Sequence, residues 1–168
     1  PSFYSPLSPS PKLLLTMAEE TKNYDVIVIG SGPGGYEAAI RAAQLGQKTA
    51  IIEKDPTLGG TCLNVGCIPS KALLDSSEQY HQAQHKFADH GINVKDVGLD
   101  VKKMIARKAS VVEQTTGGIA FLMKKNKVDV HTGWGAFKDK STVTVSPSEH
   151  SDFKEAYDIK GKQIIIAT

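Results

Sequence analysis

The sequence predicts an α/β domain built on a parallel β-sheet, and three observations support this prediction. An apolar, β-branched run leads into a glycine-rich segment, a helical pattern follows, and a second apolar run comes next. Apolar runs without polar alternation are typical of strands that are buried on both faces of a parallel sheet. Further short apolar runs in the second half of the chain predict additional strands.

The first unit is predicted to be a strand, a tight turn and a helix. The run Tyr24–Gly30 (YDVIVIG) predicts a buried strand, and GSGPGG over Gly30–Gly35 predicts the turn. A helical pattern covers Tyr36–Leu45, and Gly46 is expected to cap its carboxyl end. The next strand, Lys48–Glu53 (KTAIIE), ends on an acid.

This unit has the features of a dinucleotide-binding turn. Gly30 permits the turn, Gly32 lets the backbone approach a pyrophosphate, and Gly35 lets helix and strand pack closely. The helix amino terminus offers free N–H groups to that pyrophosphate, and Glu53 is spaced to accept hydrogen bonds from ribose hydroxyls. The alternative is a turn of the same shape without a ligand, and the glycines do not distinguish FAD from NAD.

The only two cysteines of the chain, Cys62 and Cys67, lie in the run GGTCLNVGCIPSK over Gly59–Lys71. A pair separated by four residues can close a small disulfide ring, and opening that ring stores two electrons as two thiols. A structural disulfide gains most by closing a long loop, and this loop is short. The spacing therefore favours redox chemistry over stabilisation, and the flanking glycines and Lys71 argue against the alternative of two buried, inert thiols.

The rest of the chain is predicted to alternate helices and strands. A two-glycine pair, Gly117-Gly118, is expected to interrupt the longest helix, as a site of close packing or a kink. The expected elements are a helix from Pro69 to about Asp89, a loop over Gly91–Val97, a helix over Leu99–Lys125, and strands over Lys127–Thr132, Thr142–Val145 and Gln163–Ala167.

Composition limits the possible functions. The chain has a net charge of +2 and is 40% hydrophobic and 23% charged, which is ordinary for a globular domain. We therefore expect neither nucleic-acid binding nor a membrane span. Residues 1–16, with four prolines and no arginine, are expected to be a disordered leader or upstream extension rather than an Arg-rich presequence.

Two further features have less specific explanations. His81 and His85 have the i,i+4 spacing of a metal-binding pair, but without a third ligand nearby a solvated helix face is favoured, and no metal is expected. Trp134 could stack on an adenine or simply pack beside its neighbouring glycines.

Together, GSGPGG, IIEK and GGTCLNVGCIPSK resemble the N-terminal FAD half of the flavin-dependent pyridine nucleotide–disulfide oxidoreductases. The stretches TGGIAFL and GWGAF extend the similarity, so that it runs from about Tyr24 to Thr168. The resemblance implies a Rossmann-like FAD-binding domain, with a parallel sheet plus additional strands, over residues 17–168. It also implies that the NAD and interface domains of such enzymes, with their histidine–glutamate acid/base pair, lie outside this sequence. By itself the fragment is then expected to be inactive.

The resemblance also implies roles for particular residues. Cys62 would be the thiol that exchanges with substrate, Cys67 would lie against the flavin, and Lys71 would place a positive charge near the redox-active edge of the ring. The implied cofactor-binding residues are Gly30, Gly32, Pro33, Gly34, Gly35, Glu53, Lys54, Gly59, Gly60, Thr61, Cys62, Lys71, Gly135, Ala136 and Thr168.

Within the family, the similarity is greatest to the branch that oxidises protein-bound dihydrolipoamide with FAD and NAD. This implies lipoyl domains of 2-oxoacid dehydrogenase or glycine cleavage complexes as partners, and a homodimer when the protein is full length. A cytoplasmic location is expected, with the mitochondrial matrix as the alternative. The alternatives for function are a relative of glutathione reductase or mercuric reductase, and a non-enzymatic, redox-sensing nucleotide-binding module.

Overall fold

A computed structural model describes residues 21–168 as an α/β fold with one six-stranded sheet. The leader expected over residues 1–16 lies outside these described residues. In chain order the elements are β1 (Lys22–Ile29), α1 (Pro33–Gln44), β2 (Thr49–Glu53), α2 (Gly60–Asn64), α3 (Cys67–His85), a 3-10 helix (Phe87–His90), α4 (Val101–Lys125), β3 (Asp129–Thr132), β4 (Trp134–Phe137), β5 (Thr142–Ser146) and β6 (Tyr157–Ile166).

The sheet has a parallel part and an antiparallel part, in the strand order β3-β2-β1-β6-β5-β4. Strands β3, β2, β1 and β6 run parallel to one another, whereas β5 pairs antiparallel with both β4 and β6. Strand β6 belongs to both parts, because its first residues pair with β5 and its last ones, Gln163–Ile166, pair with β1 alone. The predicted fold class, a parallel sheet with additional strands, is confirmed.

The central strand β1 is buried on both faces, which explains its continuous apolar sequence. Val26 and Val28 pack in one core cluster with residues of α1, α2 and α4. Ile27 and Ile29 pack in a second cluster with Val143, Val145 and Ile159 of the antiparallel strands. Helices therefore cover one face of the parallel sheet and the antiparallel strands cover the other.

The carboxyl end of α1 is closed as the sequence predicts. Gly46 has a φ of +82°, which favours glycine. Its N–H donates to the carbonyl of Ala43 at 3.0 Å, and the N–H of Gln47 donates to the carbonyl of Ala42 at 3.1 Å. This pair of bonds is a Schellman motif, and it turns the chain towards β2.

The predicted interruption of the longest helix is wrong. Helix α4 runs without a break through Gly117 and Gly118, and nothing lies within 4 Å of a Cβ built at either glycine. Close packing therefore does not explain the pair. The helix continues because Thr116, Ile119 and Met123, at helical spacing on the other face, are buried against the sheet.

Other element boundaries also differ from the sequence-based expectations. Helix α3 begins at Cys67 and ends at His85, rather than running from Pro69 to about Asp89. The short helix α2 and the edge strand β4 were not predicted. In the part of the chain described here, no helix is both long and apolar enough to cross a bilayer.

Candidate functional site

The turn between β1 and α1 is held by backbone contacts that only glycine allows. Gly30 has a φ of +97°, and a Cβ there would come within 2.5 Å of the carbonyl oxygen of Ala167. A Cβ at Gly35 would overlap the carbonyl oxygen of Gly30. The amino end of α1 is thereby pressed onto the carboxyl ends of β1 and β6.

The amino end of α1 faces open space beside this turn. Gly32 is the N-cap residue in an extended conformation, and Pro33 occupies the first helical turn. Nothing lies within 4 Å of a Cβ built at Gly32 or Gly34. The first turn of a helix carries N–H groups without intrahelical partners and a partial positive charge, so this opening suits an anionic group.

Glu53 closes the other side of the turn through Ser31, a residue to which the sequence analysis gave no role. One carboxylate oxygen, Oε2, accepts hydrogen bonds from the Ser31 N–H at 3.0 Å and from the Ser31 hydroxyl at 2.5 Å. The other oxygen, Oε1, accepts from the N–H of Asp55 at 3.0 Å. Because a carboxylate has about four lone-pair sites, one acceptor position remains for a ligand hydroxyl.

These elements enclose a cleft of about 460 Å³ at the carboxyl ends of the parallel strands. Such crevices are where open α/β sheets bind ligands. Of the residues named from the sequence, the following line the cleft: Gly30, Gly32, Pro33, Gly34, Glu53, Lys54, Gly60, Thr61, Cys62, Gly135 and Thr168.

The remaining candidates lie next to the cleft rather than along its walls. Gly35 lies beneath Gly30, and Gly59 donates its N–H to the backbone carbonyl of Ser31 at 3.0 Å. Ala136 is exposed on β4. Cys67 and Lys71 are exposed in the first turns of α3, beyond the thiol of the cleft-lining Cys62.

The far wall of the cleft is formed by the connection from β3 to β4. The Gly133 N–H donates to the carbonyl of Glu53 at 2.8 Å, which holds this connection against β2. Trp134 is 56% exposed and lines the cleft, with the ammonium of Lys54 5.4 Å from its ring centroid. Its indole is therefore free to contact a ligand and does not pack in the core.

The two thiols lie on consecutive helices, Cys62 on α2 and Cys67 on α3. Cys62 lies in α2, where the Asn64 amide donates to the carbonyl of Gly60 at 2.9 Å and the Thr57 hydroxyl donates to Asn64 Oδ1 at 2.6 Å. Cys67 is the first residue of α3. Both thiols are free, with Cys62 half-buried and Cys67 exposed, so the structure has the dithiol form of the pair.

An arginine of α4, Arg107, forms hydrogen bonds to α3. The guanidinium of Arg107 donates to the carbonyl of Ala72 at 3.0 Å and to the carboxylate of Asp75 at 2.6 Å. Ala72 directly follows Lys71, and Asp75 lies about one helical turn further along α3. Arg107 had no role in the sequence analysis, because nothing local in the sequence indicates that it reaches another helix.

The two thiols interact electrostatically. A hydrogen bond to Cys67, followed by burial and by the charge of Cys67, raises the pKa of the Cys62 thiol. The backbone of Cys67 and the ammonium of Lys71 act in the opposite direction. The raised pKa disfavours the Cys62 thiolate, which is the form that attacks a disulfide.

The histidine pair on α3 does not form a larger ligand cluster. The rings of His81 and His85 lie 4.6 Å apart, centroid to centroid. Among residues 21–168, no group of three or more His, Cys, Asp or Glu side chains could hold a metal ion.

The chain is similar to a known protein family. The family described as pyridine nucleotide-disulphide oxidoreductase matches residues 24–168. The chain is 54% identical over 144 residues to dihydrolipoyl dehydrogenase 2, mitochondrial, of Arabidopsis thaliana, covering 86% of this chain and 28% of that protein.

Two other relatives give similar values. Leghemoglobin reductase of Vigna unguiculata is 56% identical over 144 residues, covering 86% of this chain and 27% of that protein. Dihydrolipoyl dehydrogenase, mitochondrial, of Mesocricetus auratus is 53% identical over 156 residues, covering 92% of this chain and 32% of that protein. The chain thus spans between 27% and 32% of the length of these relatives.

Proposed function

Because the chain belongs to the pyridine nucleotide-disulphide oxidoreductase family, we propose that it forms the FAD-binding part of an NAD-linked dithiol–disulfide oxidoreductase. The observation that carries this proposal is the position of Cys62, which lines the same cleft as the glycine turn and Glu53. The Cys62–Cys67 pair therefore lies beside the nucleotide cleft, where the pair could exchange electrons with a bound flavin.

We assign FAD to the cleft, with its pyrophosphate over Gly32 and the amino end of α1. The fit rests on the open space at Gly32, the helix terminus, and the spare acceptor position of Glu53 for a ribose hydroxyl. Lys54, Trp134 and Gly135 would contact the adenosine end. The NAD site belongs to sequence other than the described residues.

The chain's own thiols would carry the disulfide chemistry. The cycle begins with the Cys62–Cys67 disulfide. A substrate thiolate attacks the sulfur of Cys62 and displaces Cys67, and the second substrate thiol then displaces Cys62. The substrate dithiol becomes a disulfide, and the protein disulfide becomes two thiols, with two electrons transferred. Bound FAD would take up these electrons and pass them to NAD.

Lys71 would place its positive charge beside this exchange. Its ammonium already favours the charged form of Cys62, so it opposes the hydrogen bond that keeps the proton there. The same charge would stabilise an anionic flavin ring if the ring lies over Cys67. Cys62 would act as the exchanging thiol, and Cys67 as the thiol against the flavin.

We propose protein-bound dihydrolipoamide as the substrate. The relatives from Arabidopsis thaliana and Mesocricetus auratus carry the name dihydrolipoyl dehydrogenase. The partners would then be lipoyl domains of 2-oxoacid dehydrogenase or glycine cleavage complexes, and the full-length protein would be a homodimer. Both names include "mitochondrial", which favours the mitochondrial alternative over the cytoplasmic expectation.

A second candidate function follows from the relative named leghemoglobin reductase, at 56% identity. The same thiol pair and flavin could reduce an acceptor other than a disulfide. The glutathione reductase and mercuric reductase alternatives would share this chemistry, since they would use the same thiol pair.

The test uses the full-length protein and single thiol variants. Purified protein is expected to be yellow and to reduce NAD with dihydrolipoamide. Cys62→Ser is expected to abolish turnover but to show a long-wavelength absorption band without reductant, because Cys67 remains as a free thiolate beside oxidised flavin. Cys67→Ser is expected to lack that band. A colourless protein, or the reverse pattern of bands, would contradict the proposal.

A further inference from the structure

Away from the thiols, a chain of polar side chains connects strands β3, β1 and β6; its members Tyr24 and His131 are buried, Tyr157 is half-buried and Asp129 is exposed. His131 of β3 is 6% exposed and lies between two tyrosine hydroxyls. Its Nε2 is 3.0 Å from the hydroxyl of Tyr24 in β1, and its Nδ1 is 2.7 Å from the hydroxyl of Tyr157 in β6. The Tyr24 hydroxyl also contacts Asp129 Oδ2 at 2.8 Å.

The carboxylate of Asp129 fixes the direction of every bond in this chain. A carboxylate only accepts, so the Tyr24 hydroxyl donates its one hydrogen to Asp129. The Tyr24 oxygen must then accept from the imidazole, which requires a proton on Nε2 of His131. The Nδ1 atom is left as an acceptor for the Tyr157 hydroxyl. The arrangement selects the neutral imidazole with its proton on Nε2.

This imidazole lies two residues before Gly133, the first residue of the cleft wall that follows β3. His131 pairs in register with Ile52, and Thr132 pairs with Glu53. The next residue, Gly133, donates its N–H to the Glu53 carbonyl and lines the cleft. Any shift of β3 against β6 would therefore move the connection that carries Trp134.

We propose that His131 is a positioning residue for the nucleotide cleft, because its neutral ring locks β3 to β1 and β6 and so holds the Gly133–Gly135 wall in place. The inference rests on the proposed function, since the ligand held by that wall is FAD. A second proton on the ring would have to reside on Nδ1, opposite the hydrogen that Tyr157 donates. The bond between β3 and β6 would then have to break or reverse.

The surroundings of His131 give the sign of the pH dependence. The charged and titratable groups around it are Lys22 and Tyr24 of β1, Asp129 of β3, Tyr157 of β6, and His150 and Asp152 of the loop before β6. Burial, followed by the charge of Lys22, lowers the pKa of His131, and Asp129 opposes this only in part.

The neutral ring is therefore favoured in the ordered cleft. The usual pKa of histidine is about 6.5. Below that pH, a state in which β3 has moved away from β6 takes up a proton on His131 that the ordered state does not. Acid thus shifts the protein away from the ordered cleft, and nucleotide affinity falls. Because only one proton is taken up, the dissociation constant for the nucleotide changes by at most about tenfold per pH unit.

The experiment measures the dissociation constant for FAD of the full-length apoprotein between pH 5.5 and pH 8, from the quenching of flavin fluorescence. In His131→Gln, the amide N–H can donate to Tyr24 and the amide oxygen can accept from Tyr157, but the side chain does not titrate. We expect the wild-type dissociation constant to rise several-fold below pH 6.5. We expect the variant to match the wild type at pH 8 and to stay nearly flat.

Matched variants separate this positioning role from a general effect. His90→Gln, at an exposed histidine of the 3-10 helix, is expected to keep the wild-type pH profile. Tyr157→Phe removes the donor to Nδ1 of His131 and is expected to move the loss of FAD affinity to higher pH. If His131→Gln does not fold at pH 8, this variant tests the positioning role in its place.

Two results would overturn the inference. A wild-type pH profile that persists in His131→Gln, or in Tyr157→Phe if only that variant folds, would show that His131 does not control the cleft. An apoprotein that binds no FAD at any pH would instead refute the proposed function together with this inference. FAD binding with unchanged pH profiles refutes the inference alone.

Discussion

The carboxylate of Glu53 accepts two hydrogen bonds from Ser31, one from the backbone N–H at 3.0 Å and one from the hydroxyl at 2.5 Å. Both side chains are buried, and the Ser31 hydroxyl also accepts from the N–H of Gly59 at 3.1 Å. One serine thus joins three structures of the cleft, which are the glycine turn, the end of β2 and the segment before α2.

Ser31→Ala is expected to destabilise the protein by about 1.5–3 kcal/mol, the range for a hydrogen bond to a charged group. The substitution leaves Glu53 Oε2 with one donor instead of two. The free energy of unfolding of full-length protein, measured in urea, checks this value. Ser77→Ala is the control, because its exposed hydroxyl bonds only to the Leu74 carbonyl of its own helix, and a change within about 0.5 kcal/mol is expected. Equal effects of the two variants would contradict the role of Ser31.

Gly32→Val is expected to abolish the retention of flavin while leaving the protein folded. The backbone of Gly32 is extended, and no protein atom lies within 4 Å of its missing Cβ, so a valine fits the protein and fills space meant for the pyrophosphate. The ratio of flavin to protein absorbance and the far-ultraviolet circular dichroism spectrum together check this prediction. Flavin content equal to that of the wild type would contradict the assignment of the cleft.

Two glycines of the helices are expected to respond to alanine in opposite directions. Gly35→Ala would place a Cβ against the Gly30 carbonyl oxygen and is expected to cost about 3 kcal/mol or more, as overpacking does. Gly118→Ala adds a methyl group in open space on α4 and is expected to stabilise the protein by about 0.5–1 kcal/mol. Thermal and urea unfolding of both variants provides the measurement. A stabilising Gly35→Ala would mean that the turn is looser than described.

The reactivity of Cys62 is expected to depend on Cys67 and Lys71, which shift the pKa of Cys62 in opposite directions. Because the hydrogen bond to Cys67 raises the pKa of Cys62, the Cys62 thiolate is less populated at a given pH than that of an unperturbed thiol. Cys67→Ala is expected to speed alkylation of Cys62 several-fold at pH 7.5. Lys71→Gln, which removes the charge that lowers this pKa, is expected to slow it.

The measurement is iodoacetamide labelling of reduced, flavin-free full-length protein at a series of pH values, followed by mass spectrometry of the peptide that contains Cys62. The midpoint of the rate profile should move to lower pH in Cys67→Ala and to higher pH in Lys71→Gln. Profiles that coincide for all three proteins would show that the thiol pair does not interact in solution.

Local sequence determined the strand–turn–helix–strand unit and the thiol segment. The unit from β1 to β2 follows from contiguous signals, since an apolar run, a glycine turn and a capping glycine each act on residues only a few positions away. The run from Gly59 to Lys71 is also local, and its spacing alone brings two thiols together. For this reason the family resemblance and most of the cleft residues could be named before the fold was known.

Tertiary structure decided the contacts between residues that are far apart in the chain. Ser31 and Glu53 are separated by 22 positions, and Tyr24 and His131 by 107, so no local pattern marks either pair. Tertiary packing also explains why helix α4 is unbroken at Gly117 and Gly118. Burial of the opposite face of the helix outweighs the local cost of about 1 kcal/mol for each glycine. Local propensity acts over a few residues, whereas register and packing across the sheet select the long-range partners.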